Sequence, residues 1–224
     1  MRSLFKIITG VFLITLSFEL GATHLIGSEM FYEDLGGGSY LITLKVYREC
    51  GPANTQGTDF DDIIFLGVFF SSTNQLQQVD DVFLNFGTVL DVPIVMTNPC
   101  GTPPPDLCVE EATYSTTLTL GSNAGGYDIA WQRCCRNPSI SNVANAGGTD
   151  NPGMTATIHI PGTDETTTSN SSPVFQTLPP VALCANFEFF FDNAAIDPDG
   201  DDLVYSLCAP FDGGGPNGGG GGFG

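Results

Sequence analysis

Four carboxylates, Asp197, Asp199, Asp201 and Asp202, fall within six residues of the stretch "NAAIDPDGDDLVYSLCAP". Carboxylates at that density repel one another unless something cationic sits among them. Asp197, Asp199 and Asp201 share the i, i+2, i+4 spacing that opens a helix–loop–helix calcium site. That reading fails, because Gly200 falls at loop position 4 instead of 6 and Cys208 stands where a bidentate Glu is needed. A loop leading straight into a strand fits better. Calcium takes about six to eight oxygens. Asp197, Asp199, Asp201 and a backbone carbonyl supply part of the shell, so Asp192, Asn193 or Asn170 must add to it, with water completing it. The other reading is a solvated turn whose backbone is set by Pro198 and Gly200. The sequence leaves both open. A calcium ion here would work mechanically, neutralising the acids and stiffening the junction between two modules.

Seven cysteines form the second chemical set: Cys50, Cys100, Cys108, Cys134, Cys135, Cys184 and Cys208. Two C-x-x-C knuckles or paired histidines, which zinc would want, do not occur. In an exported chain such cysteines read as disulfides, and an odd count leaves one thiol free or paired beyond this chain. Cys100 and Cys108 bracket the proline-stiffened "GTPPPDL", which suggests a local bridge. Cys184 and Cys208 flank two apolar runs and would staple them. Cys50 would then pair with Cys134 or Cys135. Connectivity stays open at this level. The vicinal pair in "RCCRN" comes after a strand pattern and precedes an Asn-Pro turn. A redox dithiol usually sits as C-x-x-C at a helix start, so two structural cysteines on opposite strand faces are expected here.

Catalytic constellations are not legible. G-x-S-x-G and H-E-x-x-H do not occur. His24 and His159 read as isolated surface residues. Glu110 and Glu111 are adjacent on a strand pattern and so point to opposite faces, which suits poorly two carboxylates acting on one bond. Asn170 in "NSS" matches a glycosylation acceptor, relevant only in a host that glycosylates there.

The elements that must position these groups read as strands. Apolar residues alternate in "SYLITLKVYR", "GGYDIAWQRC" and "GMTATIHI", while "DIIFLGVFF", "VDDVFLNFGTVLDVPIVM" and "YSTTLTL" are β-branched and aromatic. Gly/Pro/Asn clusters separate them. Many short strands with such turns predict an all-β chain built on a β-sandwich. A sandwich domain is expected over 23–160 and a linker, or the first strand of a next module, over 161–180. A partial second module is expected over 181–210, with "NFEFFF" and "LVYSLC" as its strands, and a Gly-rich tail over 211–224. Two strands cannot bury a sandwich core alone. The chain is therefore expected to be the N-terminal part of a longer protein, or the second module to pack on the first.

Residues 1–22 read as an export signal: Arg2 and Lys6, the apolar "IITGVFLITLSF", and a small-residue cleavage site after Ala22. The 224 residues carry a formal net charge of −19, and the cleaved chain would keep only Lys45, Arg48, Arg133 and Arg136 as fixed cations. Such a surface repels nucleic acid and anionic lipid headgroups. No direct membrane insertion is expected after cleavage. With 42% hydrophobic and 11% aromatic residues, the chain has the material for a core and is no acidic disordered tail.

The stretches "ATHLIGSEMFYEDLGGGSYLITLKVYREC", "GGYDIAWQRCCRN", "SNSSPVFQTLPPVALCAN" and "AAIDPDGDDLVYSLCAP" resemble, in that order, the N-terminal region of large secreted surface proteins of Bacteroidetes, of the gliding-motility-associated or PKD-domain type. "WQRCCRN" is the most specific part. The resemblance implies immunoglobulin-like sandwich modules in arrays, export to the outer face of the outer membrane, and a role in adhesion or surface motility. "AIDPDGDDLVYSL" is similar to the core of cadherin-like modules, which makes the second, incomplete module immunoglobulin- or cadherin-like. Ser169, Asn170 and Ser171 stand where the cadherin linker has Asn, Asp and Asn.

Two function classes fit these residues. One is a non-catalytic surface module, for adhesion or spacing, whose ligand is a surface polysaccharide or a protein. The other is an accessory or carbohydrate-binding module of a secreted hydrolase, using aromatics such as Phe31, Tyr32 and Tyr47.

Overall fold

The computed structural model describes residues 25–50, 60–94, 107–133, 140–142, 153–166, 168–208, 211 and 213. The export signal over 1–22 lies outside them. Every regular element among the described residues is a strand: β1 Leu25–Gly36, β2 Ser39–Glu49, β3 Ile63–Phe70, β4 Gln75–Asp91, β5 Val109–Thr119, β6 Tyr127–Arg133, β7 Met154–Ile160, and the two-residue β8 Val174–Phe175 and β9 Ala195–Ile196.

The first seven form one antiparallel sheet in the order β1-β2-β5-β4-β3-β6-β7. It folds over on itself through β4 into a sandwich. The first half of β4 pairs with β3, from Gln75 against Phe70 to Phe83 against Ile63. The second half pairs with β5, from Leu84 against Tyr114 to Asp91 against Glu110. Between Leu84↔Tyr114 and Val89↔Ala112 the long strand takes five steps while β5 takes two, so three extra residues turn the corner. Thr88 closes that corner by donating from Oγ1 to the carbonyls of Asn85 (2.6 Å) and Thr113 (3.0 Å). The outer edges, β1 and β7, approach each other, so the sheet is nearly closed.

The expected alternation places the core. Ile42, Leu44 and Val46 of β2 meet Leu66 and Val68 of β3, Tyr114 and Leu118 of β5, Ile129 and Trp131 of β6 and Ile160 of β7, all buried. Tyr114 carries its hydroxyl into this core and satisfies it by donating to the Asp61 carbonyl at 2.7 Å. Gly126 admits no side chain. Its φ is +71°, and a Cβ would lie 2.3 Å from the Ile160 carbonyl oxygen.

One strand was not read from the sequence, and one expectation differs from the structure. The segment 25–36 is not among the alternating runs, yet it is the long edge strand β1. "NFEFFF" and "LVYSLC" are not strands: the β8–β9 ladder, Val174↔Ile196 and Phe175↔Ala195, is the only pairing among the described residues of this part. A β-favourable sequence without a neighbouring sheet has nothing to bond to. Phe190 stays 84% and Val204 94% exposed, so these runs form no core here.

Candidate functional site

The acidic loop supplies its own counter-charge from the backbone. Asp197 Oδ1 accepts the N–H groups of Asp199 (2.9 Å), Gly200 (3.0 Å) and Asp201 (3.2 Å). Gly200 makes this possible by taking φ +84°, which curls three successive amides around one carboxylate oxygen. Asp192 does the same on a smaller scale, its Oδ1 accepting from Ala194 N at 3.1 Å.

Asp199 points elsewhere: its Oδ2 accepts the backbone N–H of Ser171. Ser171 and Ser172 are buried and lie along β1. Ser172 exchanges bonds with Tyr32, its N donating to the Tyr32 carbonyl (2.9 Å) and its Oγ accepting from Tyr32 N (2.8 Å). Ser171 Oγ accepts from Asp34 N at 3.2 Å, and Ser169 Oγ donates to Asp34 Oδ2 at 2.8 Å. The serines thus extend the sheet past its edge for a few residues, using side-chain oxygens where a strand would use carbonyls. The chain from the sandwich to β8 is keyed at three points: Ser169, Ser171 and Ser172.

This geometry bears on the expected calcium ligands Asp197, Asp199, Asp201 and Asp192. The bonded oxygens of Asp192, Asp197 and Asp199 are turned onto backbone amides, and among the described residues no three acidic, His or Cys side chains gather as a metal shell.

The disulfide framework corrects the expected pairings. Cys50 bonds Cys108, with Cα atoms 5.0 Å apart. Cys108 therefore does not close the Cys100 loop, and Cys50 does not bridge to Cys134 or Cys135. The reason is register: β2 and β5 pair as far as Glu49↔Val109, so the next residues on each strand are Cys50 and Cys108, already joined by Cys50 N donating to the Cys108 carbonyl at 3.0 Å. Cys184 is disulfide-bonded and buried. The expected Cys184–Cys208 staple is not formed, since Cys208 is free and exposed. Cys100, Cys134 and Cys135 lie outside the described residues.

The scarce cations are committed to pairs. Lys45 sits between Glu29 (3.4 Å) and Glu111 (3.7 Å). Arg48 grips Glu110, Nε to Oε2 at 2.8 Å, with its guanidinium 4.6 Å from the centre of the Phe60 ring. Arg133 Nη2 holds Asp61 at 2.9 Å. Burial raises the Asp61 carboxyl; Arg133 opposes that and the neighbouring Asp62 adds to it. Arg136 lies outside the described residues. Glu110 and Glu111 hold separate partners, as adjacent strand residues must. Of the aromatics expected on the surface, Tyr32 and Tyr47 are buried and Phe31 is half-buried.

One constellation escaped sequence reading. His159 on β7 stands opposite Asp128 on β6. Its Nδ1 contacts Asp128 Oδ1 (2.7 Å) and Ser71 Oγ (3.2 Å), and its Nε2 contacts Glu165 Oε2 (2.9 Å). Glu165 Oε2 also accepts Gly162 N at 2.8 Å. Partial burial lowers the imidazole pKa, but bonds to Glu165 and Asp128, with their charges, outweigh it and raise the net value. Asp128 and Ser71 share the Nδ1 edge of the ring and Glu165 takes the Nε2 edge, so the imidazole joins β6 and the β3–β4 turn to the turn after β7. The cluster is a latch between strand and turn.

No protein-family model matches the chain, and neither a curated protein nor a solved structure is found to be similar to it.

Proposed function

We propose that this chain is a non-catalytic extracellular module, serving adhesion or spacing at the cell surface as its resemblance to secreted surface proteins of Bacteroidetes suggests. The observation that carries the reading is the keyed junction. A segment that merely tethers two units has no need of two buried serines bonded along a sheet edge and a carboxylate from beyond β9 clamping one of them. Such a junction transmits orientation and load from the sandwich to the segment beyond it. The paired cations support the reading as well: Lys45, Arg48 and Arg133 are spent on structural ion pairs.

Limited proteolysis of the whole purified chain tests the mechanical part. The wild type should resist cleavage between Ser169 and Phe175, and Asp199→Ala should open that stretch while the sandwich remains intact. Rapid cleavage of the wild type there would overturn the spacer reading.

A further inference from the structure

At the end of the sandwich away from the Cys50–Cys108 bond, the β1–β2 turn, the β5–β6 loop and the turn after β7 line an open basin of about 580 Å³. This lies within the ~300–1,000 Å³ range of small-ligand pockets. Gly37 and Gly38 form one wall, Ser122 and Asn123 a second, and Gly162 and Thr163 a third, with Tyr40 and Tyr127 between them. No carboxylate, Lys or Arg is among the described lining residues.

Its polar groups divide into two sets. Tyr127 donates its hydroxyl to the Gly121 carbonyl (3.0 Å) and Asn123 donates to the Gly126 carbonyl (2.9 Å), so these hold the walls. The hydroxyls of Tyr40, Ser122 and Thr163 have no hydrogen-bond partner among the described residues, and neither has the Asn123 side-chain carbonyl. The Tyr40 ring is half-buried and fixed edge-on against Tyr32, 5.9 Å between centres. The third wall is fastened from behind, because Glu165 bonds both His159 and Gly162 N.

We propose that this basin binds a neutral saccharide. Hydroxyl and amide groups that both donate and accept match sugar hydroxyls, and the half-buried Tyr40 places an aromatic ring among the lining residues for contact with sugar C–H groups. A cationic ligand would find no carboxylate in the lining. An anionic one would face a protein of net charge −19. The proposal deepens the adhesion reading by naming the ligand class, and it rests on that reading for its biological sense but not for its geometry.

The test is a titration of the isotope-labelled whole chain, read by NMR, with maltose, cellobiose and chitobiose, and with glucuronic acid as the charged comparison. Saturable shifts are expected at the amides of Gly37, Gly38, Ser122 and Thr163 with at least one neutral disaccharide and not with the acid. Tyr40→Phe keeps the ring and removes the free hydroxyl, and should weaken binding roughly three- to tenfold. Thr163→Val should act alike. Asp199→Ala should leave the titration unchanged, which separates this proposal from that of the junction. No saturable shift with any of the three, shifts confined to another face, or equal binding of the acid would overturn it.

Discussion

The backbone N–H of Ser171 and the side chain of Asp199, 28 residues apart, are hydrogen-bonded to each other. One partner lies against the edge of the sandwich and the other in the acidic loop beyond β9. The bond therefore joins the two parts of the chain that the sequence separates by a Thr/Ser/Pro-rich stretch. It also gives the loop a structural reason for its acids: Asp197 gathers the loop around itself, and Asp199 fastens it to the junction.

If the loop is satisfied by amides, calcium is not needed to hold it. The melting temperature of the whole chain should be the same in chelator and in millimolar calcium. Asp197→Ala, which strips the acceptor from three N–H groups, should destabilise the β8–β9 part by roughly 1–3 kcal/mol. A calcium-dependent rise in melting temperature that Asp199→Ala abolishes would establish the metal reading instead.

The strands that alternate cleanly were legible, because the large apolar side chains of β2, β6 and β7 fall on the core face and a two-residue period results from that. β1 was not. It is an edge strand whose residues between Leu25 and Tyr32 are all partly or fully exposed, so no apolar period is imposed on it. The Cys50–Cys108 bond depends on the register of β2 against β5, which joins residues 58 apart and leaves no local signal. The His159 latch is hidden for a like reason: Asp128 meets the ring only once β6 and β7 are aligned, and Glu165 only once the turn after β7 folds back. The acids of the loop were legible as a cluster, but the amides that answer them depend on a backbone curl that Gly200 permits without announcing.

Mass spectrometry without reduction should recover the Cys50 and Cys108 peptides as one linked species and Cys208 as a free thiol. A loop of this length predicts a loss of about 4 kcal/mol for Cys50→Ser in the chain-entropy account. Cys208→Ser should be nearly neutral. A Cys100–Cys108 or Cys184–Cys208 species would contradict the framework.

The latch makes stability depend on pH with a defined sign. His159 is raised above its ordinary 6.5, so its contribution is full below 6.5 and is lost as the pH climbs through the higher folded value. Glu165 is lowered from its ordinary 4.5, first by the Gly162 N–H bond and then by His159. Its share is present above 4.5 and fades as the pH falls through the folded value. The latch is therefore strongest between 4.5 and 6.5. Denaturant midpoints across roughly pH 5 to 8 should fall on the alkaline side for the wild type, and His159→Gln should flatten that fall. An unchanged slope in the variant would remove His159 from the account.

The keyed junction is most directly read by hydrogen exchange at three amides, Tyr32, Asp34 and Ser171, measured in the whole chain in the presence of chelator. All three should be protected in the wild type. Asp199→Ala should release Ser171, and Ser172→Ala should release Tyr32, with the amides of β2 unchanged in both. Fast exchange at Ser171 in the wild type, or protection that appears only when calcium is added, would contradict it.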